Sequence, residues 1–292
     1  MYRFAHISDL HFSKRTWDPS QFFSKRWIGN LNLLLHRQNE LDPLGVYHLI
    51  PYLIEKRVDA VFLTGDLTST SSHGEFQLAK EFVKKMQEKG LTVFPIPGNH
   101  DHYTRSAFRN LRFYHYFDAQ FSFSKGTIAT EWNLKEHKIS ATYLGNTWWV
   151  VALDCAIATP ILSSTGLFAH ETERYLAEVL HSIPKDHHII LLNHFPLFKT
   201  DIGKKELKRY KALQKLLLRF PSVKLYLHGH THRHAIADLR PSGLPIILDS
   251  GCTGHKTHAT CHFIEIDAKR CAIEIWEKDL HWKPKKEVAF AW

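Results

Sequence analysis

Cysteine is scarce and unpaired in this sequence. Its four cysteines, Cys155, Cys252, Cys261 and Cys271, form no C-x-x-C spacing, which argues against a zinc ribbon or a thioredoxin-type motif. Reduced, mostly buried thiols are expected, with a Cys261–Cys271 bridge across a hairpin as the alternative. Long apolar runs are missing too. The longest, such as 148–153, fall far short of the ~20 residues a membrane span needs. The opening Met-Tyr-Arg-Phe-Ala-His has no apolar core of a signal peptide, so the reading is a soluble, cytoplasmic protein. No Gly/Ser/Pro-rich linker and no repeat period divides the chain, and residues 1–292 read as a single domain. Negative charge is in deficit, with 29 Asp+Glu against 38 Lys+Arg and a net charge of +9. A basic surface favours phosphate-bearing partners without choosing among nucleotide, nucleic acid and anionic membrane. With 44% hydrophobic and 23% charged residues, the chain is ordinary globular material, not disordered, collagen-like or coiled-coil. A chain of 292 residues buries roughly 75% of its unfolded surface.

What is abundant is histidine, at 22 residues, many of them at the ends of segments. Short apolar, β-branched runs at 3–7, 60–63, 92–96, 148–153, 188–192, 223–227, 246–248, 263–266 and 272–276 suit strands. Helical periodicity appears at 75–89, 171–180 and 205–218. In the first of these, Phe76, Ala79, Val83 and Met86 share a stripe and Gly90 follows as a stop. The first part reads βαβαβ and the last quarter as consecutive strands. That pattern is an α/β domain with a partly antiparallel sheet.

Five strand-like runs end directly in metal-capable side chains. Residues 4–8 lead into Asp9-Leu10-His11, 60–65 into Asp66, and 92–98 into Asn99-His100-Asp101. Residues 188–193 lead into His194, and 223–229 into His230-Thr231-His232. Ligands of α/β sheets bind beyond the carboxyl ends of the strands, so these side chains are expected at one edge. Asp9 with His11, and His230 with His232, stand two apart. In an extended segment that spacing projects both to one side, so each pair is expected to act as a pincer. Glycines at 65, 98 and 229 precede a candidate ligand each time and permit tight turns or close approach. Two Asp, one Asn and four His favour Zn, Fe or Mn. Seven donors exceed one tetrahedral site and suit two ions sharing a carboxylate, a recurrent device for phosphoryl displacement.

The ordered set D-x-H, G-D, G-N-H-D, a lone His after a strand, and G-H-x-H spans residues 9 to 232. It resembles the calcineurin-like metallophosphoesterases, and His6-Ile7-Ser8-Asp9-Leu10-His11 is similar to their cyclic-nucleotide phosphodiesterase-like branch. The resemblance implies a four-layer α-β-β-α sandwich of two mixed β-sheets flanked by helices. It implies two divalent metal ions (Mn, Fe or Zn), one on Asp9, His11 and His232, the other on Asn99, His194 and His230, with Asp66 bridging. His100 would face the scissile phosphate, stabilising charge or protonating the leaving oxygen, and Asp101 would orient it. The implied activity is hydrolysis of a phosphate ester by metal-activated hydroxide, with a small phosphodiester such as a cyclic nucleotide as substrate.

Other segments widen the range of substrates. Residues 12–37 hold Trp17, Phe22, Phe23 and Trp27 among Lys14, Arg15, Lys25, Arg26 and Arg37. This basic aromatic insert is read as a helix on the domain. Its alternative is peripheral contact with an anionic membrane, which would suit a hydrolase of a nucleotide–lipid pyrophosphate of the UDP-diacylglucosamine type. A second basic segment, 204–219, follows the His194 strand and is read as a solvated helix face that could flank the site. Arg105 and Arg109 are candidate contacts to substrate phosphate. Residues 113–140 are a candidate cap or substrate loop. No added nucleic-acid-binding region is visible, so a nuclease is disfavoured. A non-catalytic protein-binding scaffold, as in the metallophosphoesterase-like retromer subunit, would have shed ligands that this chain keeps. His102, His234, His255 and His258 are read as solvated loop residues. Oligomeric state has no signature in the sequence.

Overall fold

A computed structural model describes residues 1–14, 40–42, 44–123, 132–160, 163–201 and 203–292. Its strands are β1 (Tyr2–Ile7), β2 (Ala60–Thr64), β3 (Thr92–Ile96), β4 (Ile139–Gly145), β5 (Trp148–Leu153), β6 (Gly166–Leu167) and β7 (His188–Leu192). They continue with β8 (Leu207–Lys208), β9 (Val223–His228), β10 (His234–Asp238), β11 (Ile246–Ser250), β12 (Ala259–Ile266), β13 (Arg270–Lys278) and β14 (Trp282–Ala291). The helices are α1 (Ile50–Glu55), α2 (His73–Gln87), α3 (Arg105–Arg109), α4 (His170–Ser182) and α5 (Tyr210–Leu217).

Strand alternation sends successive side chains to opposite faces, and here both faces are apolar. In β1, Phe4 enters one core while Ala5 and Ile7 enter another. The result is two six-stranded sheets, ordered β14-β13-β12-β1-β2-β3 and β10-β11-β9-β7-β5-β4. Parallel pairing joins β1, β2 and β3, and joins β5, β7, β9 and β11; antiparallel strands complete each sheet. Phe4, Phe62 and Phe94 from one sheet meet Val150, Ile190 and Leu225 from the other. Behind the first sheet lie Phe76, Phe82 and Met86 of α2, and behind the second lie Leu176 and Val179 of α4 and Leu213 and Leu217 of α5. The layers are therefore α-β-β-α with two mixed sheets, as expected.

Nine strands and three helices match the expected positions within a few residues at most ends. β4, β6, β8, β10, β14, α1 and α3 were not anticipated, and α5 starts at Tyr210, later than 205. Residues before it form a turn at Gly203–Lys205 and the short β8, which pairs with β6. Of the insert at 12–37, residues 15–37 lie outside the described residues, as do 124–131 of the loop at 113–140. The described part of that loop places Phe121, Phe123 and Leu134 in the inter-sheet core. All four cysteines are free and buried. No helix among the described residues is long and apolar enough to cross a membrane.

Candidate metal centre

The strand ladders continue past the strand ends. Asp9 N–H donates to Gly65 O at 3.1 Å and His11 N–H to Asp66 O at 3.0 Å, extending the pairing of β1 with β2. Gly229 N–H donates to His194 O at 3.1 Å, doing the same for β7 and β9. Within these turns Asp9 (φ 55°), His11 (φ 51°), Asp66 (φ 52°), His230 (φ 72°) and His232 (φ 58°) all adopt left-handed backbone. That conformation costs about 1–2 kcal/mol for a residue with a Cβ, and such strain concentrates at functional sites. It also corrects the expected geometry of the paired ligands. Asp9 Oδ1 and His11 Nε2 do converge, to 3.7 Å, but through left-handed turns and not along an extended segment. His230 and His232 do not act as one pincer: their side chains join different groups.

Glycine is required where the loops touch. A Cβ on Gly229 would lie 1.8 Å from Ser8 Oγ and 2.3 Å from Asp9 Oδ2. One on Gly98 would lie 2.3 Å from Asp66 Oδ1 and 2.4 Å from Asp66 N.

Two clusters result. In the first, Asp9 Oδ1 is 3.2 Å from His232 Nε2, and His232 Nε2 is 3.1 Å from His11 Nε2. In the second, His194 Nε2 is 3.4 Å from Asp66 Oδ2, 3.2 Å from Asn99 Oδ1 and 3.2 Å from His230 Nδ1. Asp66 Oδ2 stands between them, 4.0 Å from His11 Nε2. Surrounding atoms aim the donors. His194 Nδ1 donates to Thr64 O at 2.7 Å, which turns Nε2 inward. His230 Nε2 donates to Lys205 O at 2.9 Å, which turns Nδ1 inward. Asp9 Oδ2 accepts from Ser8 Oγ at 2.6 Å and His230 N at 2.9 Å, leaving Oδ1 for the cluster. Fixing a ligand's far side in this way is how metal sites are oriented.

The residues fit divalent ions on their own geometry. Asp9–His11–His232 and Asp66–His194–His230 each bring their donor atoms within 4.8 Å of one another, as does His11–Asp66–His100. Asp9 Oδ1 is buried without a hydrogen-bond partner among the described residues. Burial alone would lower the His194 pKa, but Asp66 and Asp9 push it up to about 9; the position favours positive charge. Burial would raise Asp66, yet the His194, His100 and His11 rings hold it well below the carboxylate range. Burial and His194 push His230 down to about 3, leaving a neutral ring with a lone pair to offer. Imidazole and carboxylate together match Zn, Fe or Mn.

His100 stands beside the clusters, its ring edge-on to His11 with centroids 4.9 Å apart. Its Nδ1 donates to Ser69 O at 2.6 Å. Asp101 was expected to orient His100, but its oxygens accept instead from Leu67 N, Thr68 N, Thr68 Oγ1 and Gly98 N. Asp101 thus ties the Asp66 loop to the Asn99 loop, and the carbonyl of Ser69 takes the orienting role. Arg105 and Arg109 are exposed and do not line the cavity over the clusters. Only Ala107 of α3 is buried, so the i and i+4 arginines share the opposite, solvent face.

That cavity has a volume of about 140 Å³. Asp66, Asn99, His100, His230 and His232 line it, joined by Lys205 of the segment expected to flank the site and by Glu40, Ser164 and His255, which sequence reasoning did not place there. His255 is half-buried, and its Nδ1 accepts from Thr257 N at 3.1 Å and His258 N at 2.9 Å. It follows β11 just as the other site residues follow their strands, so the same strand-end signal could have found it. His102 is buried, not solvated. Its Nε2 lies 3.6 Å from Asp154 Oδ2, which also accepts from Tyr114 Oη at 2.7 Å and Lys138 Nζ at 2.8 Å.

Comparison with known proteins agrees with this architecture. The family model described as calcineurin-like phosphoesterase matches residues 2–234. The chain is 25% identical over 205 residues to the 3′,5′-cyclic adenosine monophosphate phosphodiesterase CpdA of Escherichia coli strain K12, covering 69% of this chain and 64% of that one. It is 24% identical over 195 residues to a probable glycerophosphodiester phosphodiesterase GpdQ of Arcobacter nitrofigilis, covering 65% and 63%. The matched segment thus spans just under two thirds of either relative's length. A dimetal phosphatase from Danio rerio has the same fold, with a TM-score of 0.65 at 13% identity over 97% of this chain and 98% of that one. With motifs, fold and family model in agreement, the chain belongs to the calcineurin-like phosphoesterase family.

Proposed function

We propose that this chain is a metal-dependent phosphoesterase that hydrolyses a small phosphodiester such as a cyclic nucleotide. The observation that carries the reading is the pair of donor groups meeting at Asp66. Asp9, His11 and His232 would hold one divalent ion and Asn99, His194 and His230 the other, with Asp66 shared. When bound, the two ions supply Lewis acidity, offsetting phosphate charge and easing deprotonation of a water. His100, its Nδ1 proton committed to Ser69 O, would act on the scissile phosphate or its leaving oxygen through Nε2, donating there as the imidazolium, protonated on both nitrogens. Asp101 acts as a positioning residue, holding the loops of Asp66 and Asn99 in register. Lys205 and His255 add donors at the rim for the phosphate oxygens. Residues 1–292 are taken as one domain working in a reducing, cytoplasmic compartment, in keeping with four free thiols. The nucleotide–lipid alternative rests on residues 12–37, most of which lie outside the described residues.

The test is hydrolysis of bis-p-nitrophenyl phosphate after chelator stripping, with and without added Mn²⁺. Turnover that disappears on stripping and returns with metal is expected. A purified protein that binds two ions yet cleaves no phosphodiester would sink the proposal.

A further inference from the structure

The cavity over the donor groups, about 140 Å³, is well under the roughly 300–1,000 Å³ of pockets that enclose a whole small molecule. Within the described residues it holds little more than the phosphate of a diester, so the organic groups must extend beyond it. A second cavity of about 420 Å³ adjoins it, and Lys205 and His230 stand in both walls. Its apolar side is built by Leu197 and Phe198 from the loop after β7 and by Ala235 from β10. Phe198 is 42% exposed, the only aromatic among the exposed large hydrophobic side chains of the described residues. An aromatic face kept in solvent beside a catalytic cleft loses hydrophobic stabilisation unless something covers it. The polar side holds Thr231 and Asp249, bonded to each other through Thr231 Oγ1 and Asp249 Oδ2 at 2.5 Å.

We propose that this second cavity is the subsite for an organic group of the substrate, and that Phe198 makes it select a nucleobase over an aliphatic alcohol. The inference rests on the phosphodiesterase reading above. Every base has a π-face to stack on an aromatic side chain, whereas glycerol has none. Thr231 and Asp249 offer hydrogen-bonding groups to ring heteroatoms at the polar end. Lys205, common to both cavities, keeps positive charge beside the phosphate that joins the two parts of the substrate.

The test compares steady-state kinetics of the Mn²⁺-loaded protein on 3′,5′-cyclic AMP and on glycerophosphoglycerol. Phe198→Ala is expected to raise KM for the cyclic nucleotide roughly tenfold relative to the aliphatic diester, with the ratio of kcat values steady. Ala235→Leu, which fills the cavity from an exposed strand position, should move the ratio the same way and serves if Phe198→Ala folds poorly. A change in the KM ratio below threefold in both variants overturns the subsite. If the wild type cleaves neither diester, the phosphodiesterase reading fails, and calorimetric titration of metal-free protein with AMP decides the subsite separately. Binding weakened by Phe198→Ala supports it; equal binding, or none, overturns it.

Discussion

His100 has one ring nitrogen held by a backbone carbonyl and the other next to the ligand clusters. Its Nδ1–H bond to Ser69 O leaves the Nε2 lone pair facing the site in the neutral ring, so the residue gives a proton from Nε2 only as the imidazolium, protonated on both nitrogens. Removing a positioned acid of this kind typically costs 10²–10⁴-fold. His100→Ala is expected to lower kcat by about that factor while elemental analysis still finds two ions per chain. Loss of one ion would instead place His100 among the ligands, a role that its proximity to His11 and Asp66 also permits. Gly229 makes a second prediction. Its Cβ would fall inside the radii of Ser8 Oγ and Asp9 Oδ2, both buried. Gly229→Ala should destabilise the fold by about 1–3 kcal/mol and reduce metal occupancy, read by thermal melting and elemental analysis. The motif residues were legible because chemistry limits which side chains bind metal. The roles of Asp101, His102 and His255 were not. Each depends on which backbone donors or carboxylates lie opposite in space, and sequence spacing does not encode that.

Helix α2 is the element most closely tied to the site. Ser72 caps it: Ser72 Oγ accepts from Glu75 N at 3.2 Å, and the Glu75 carboxylate accepts from Ser72 N at 3.0 Å. Glu75 is fully buried and also accepts from Thr70 N at 2.9 Å and Thr70 Oγ1 at 3.0 Å. The cap therefore anchors the loop that runs on from Asp66. Glu75→Ala removes the carboxylate half of the capping box and leaves the buried Thr70 and Ser72 N–H groups without acceptors, a loss of about 2–4 kcal/mol measurable by urea denaturation, and Glu75→Gln should recover part of it. Elements differed in how well they could be read. Strands buried on both faces, such as β5 and β7, appear as unbroken apolar runs. β10 is exposed almost throughout, and β14 is a lysine-rich edge strand carrying Pro284. Pairing with a neighbour, not hydrophobic pattern, makes those two strands, and proline is tolerated at such an edge.

At the scale of the whole molecule, the inter-sheet region stores a dependence on pH. His6 and His262 are fully buried, with ring centroids 5.6 Å apart. Burial, then the neighbouring His6, His234 and His228 rings, hold His262 well below its usual range. Burial and His228 push His6 down to about 3. Both rings are neutral in the fold at pH 5, while the unfolded chain takes up protons on them below about 6.5. A depressed folded value means that stability is complete above that point and is lost as pH falls toward the folded value. The contribution of these two rings to the unfolding free energy in urea should therefore decline between about pH 6.5 and pH 4, against an opposite contribution from Asp101, which burial and Asp66 push up to about 6, and from Asp249, which burial raises. Neither ring nitrogen of His262 has a hydrogen-bond partner among the described residues, so an apolar replacement forfeits little. His262→Leu is expected to flatten the decline and to be more stable than wild type at pH 5. An unaltered slope would remove His262 from the account.

The donors come from both sheets: Asp9, His11, Asp66 and Asn99 follow β1, β2 and β3, while His194, His230 and His232 follow β7 and β9. Where the two sheets meet, Ser8, Asp9 and Gly229 leave no space for even a methyl group. Such a joint cannot widen to admit a larger substrate without dismantling the donor groups. A change of substrate is then confined to the rim, where the mostly exposed segments 198–201 and 255–258 lie clear of that joint. For an engineer seeking new substrates, those two segments are the place to build a library, and the joint itself is the place to leave alone.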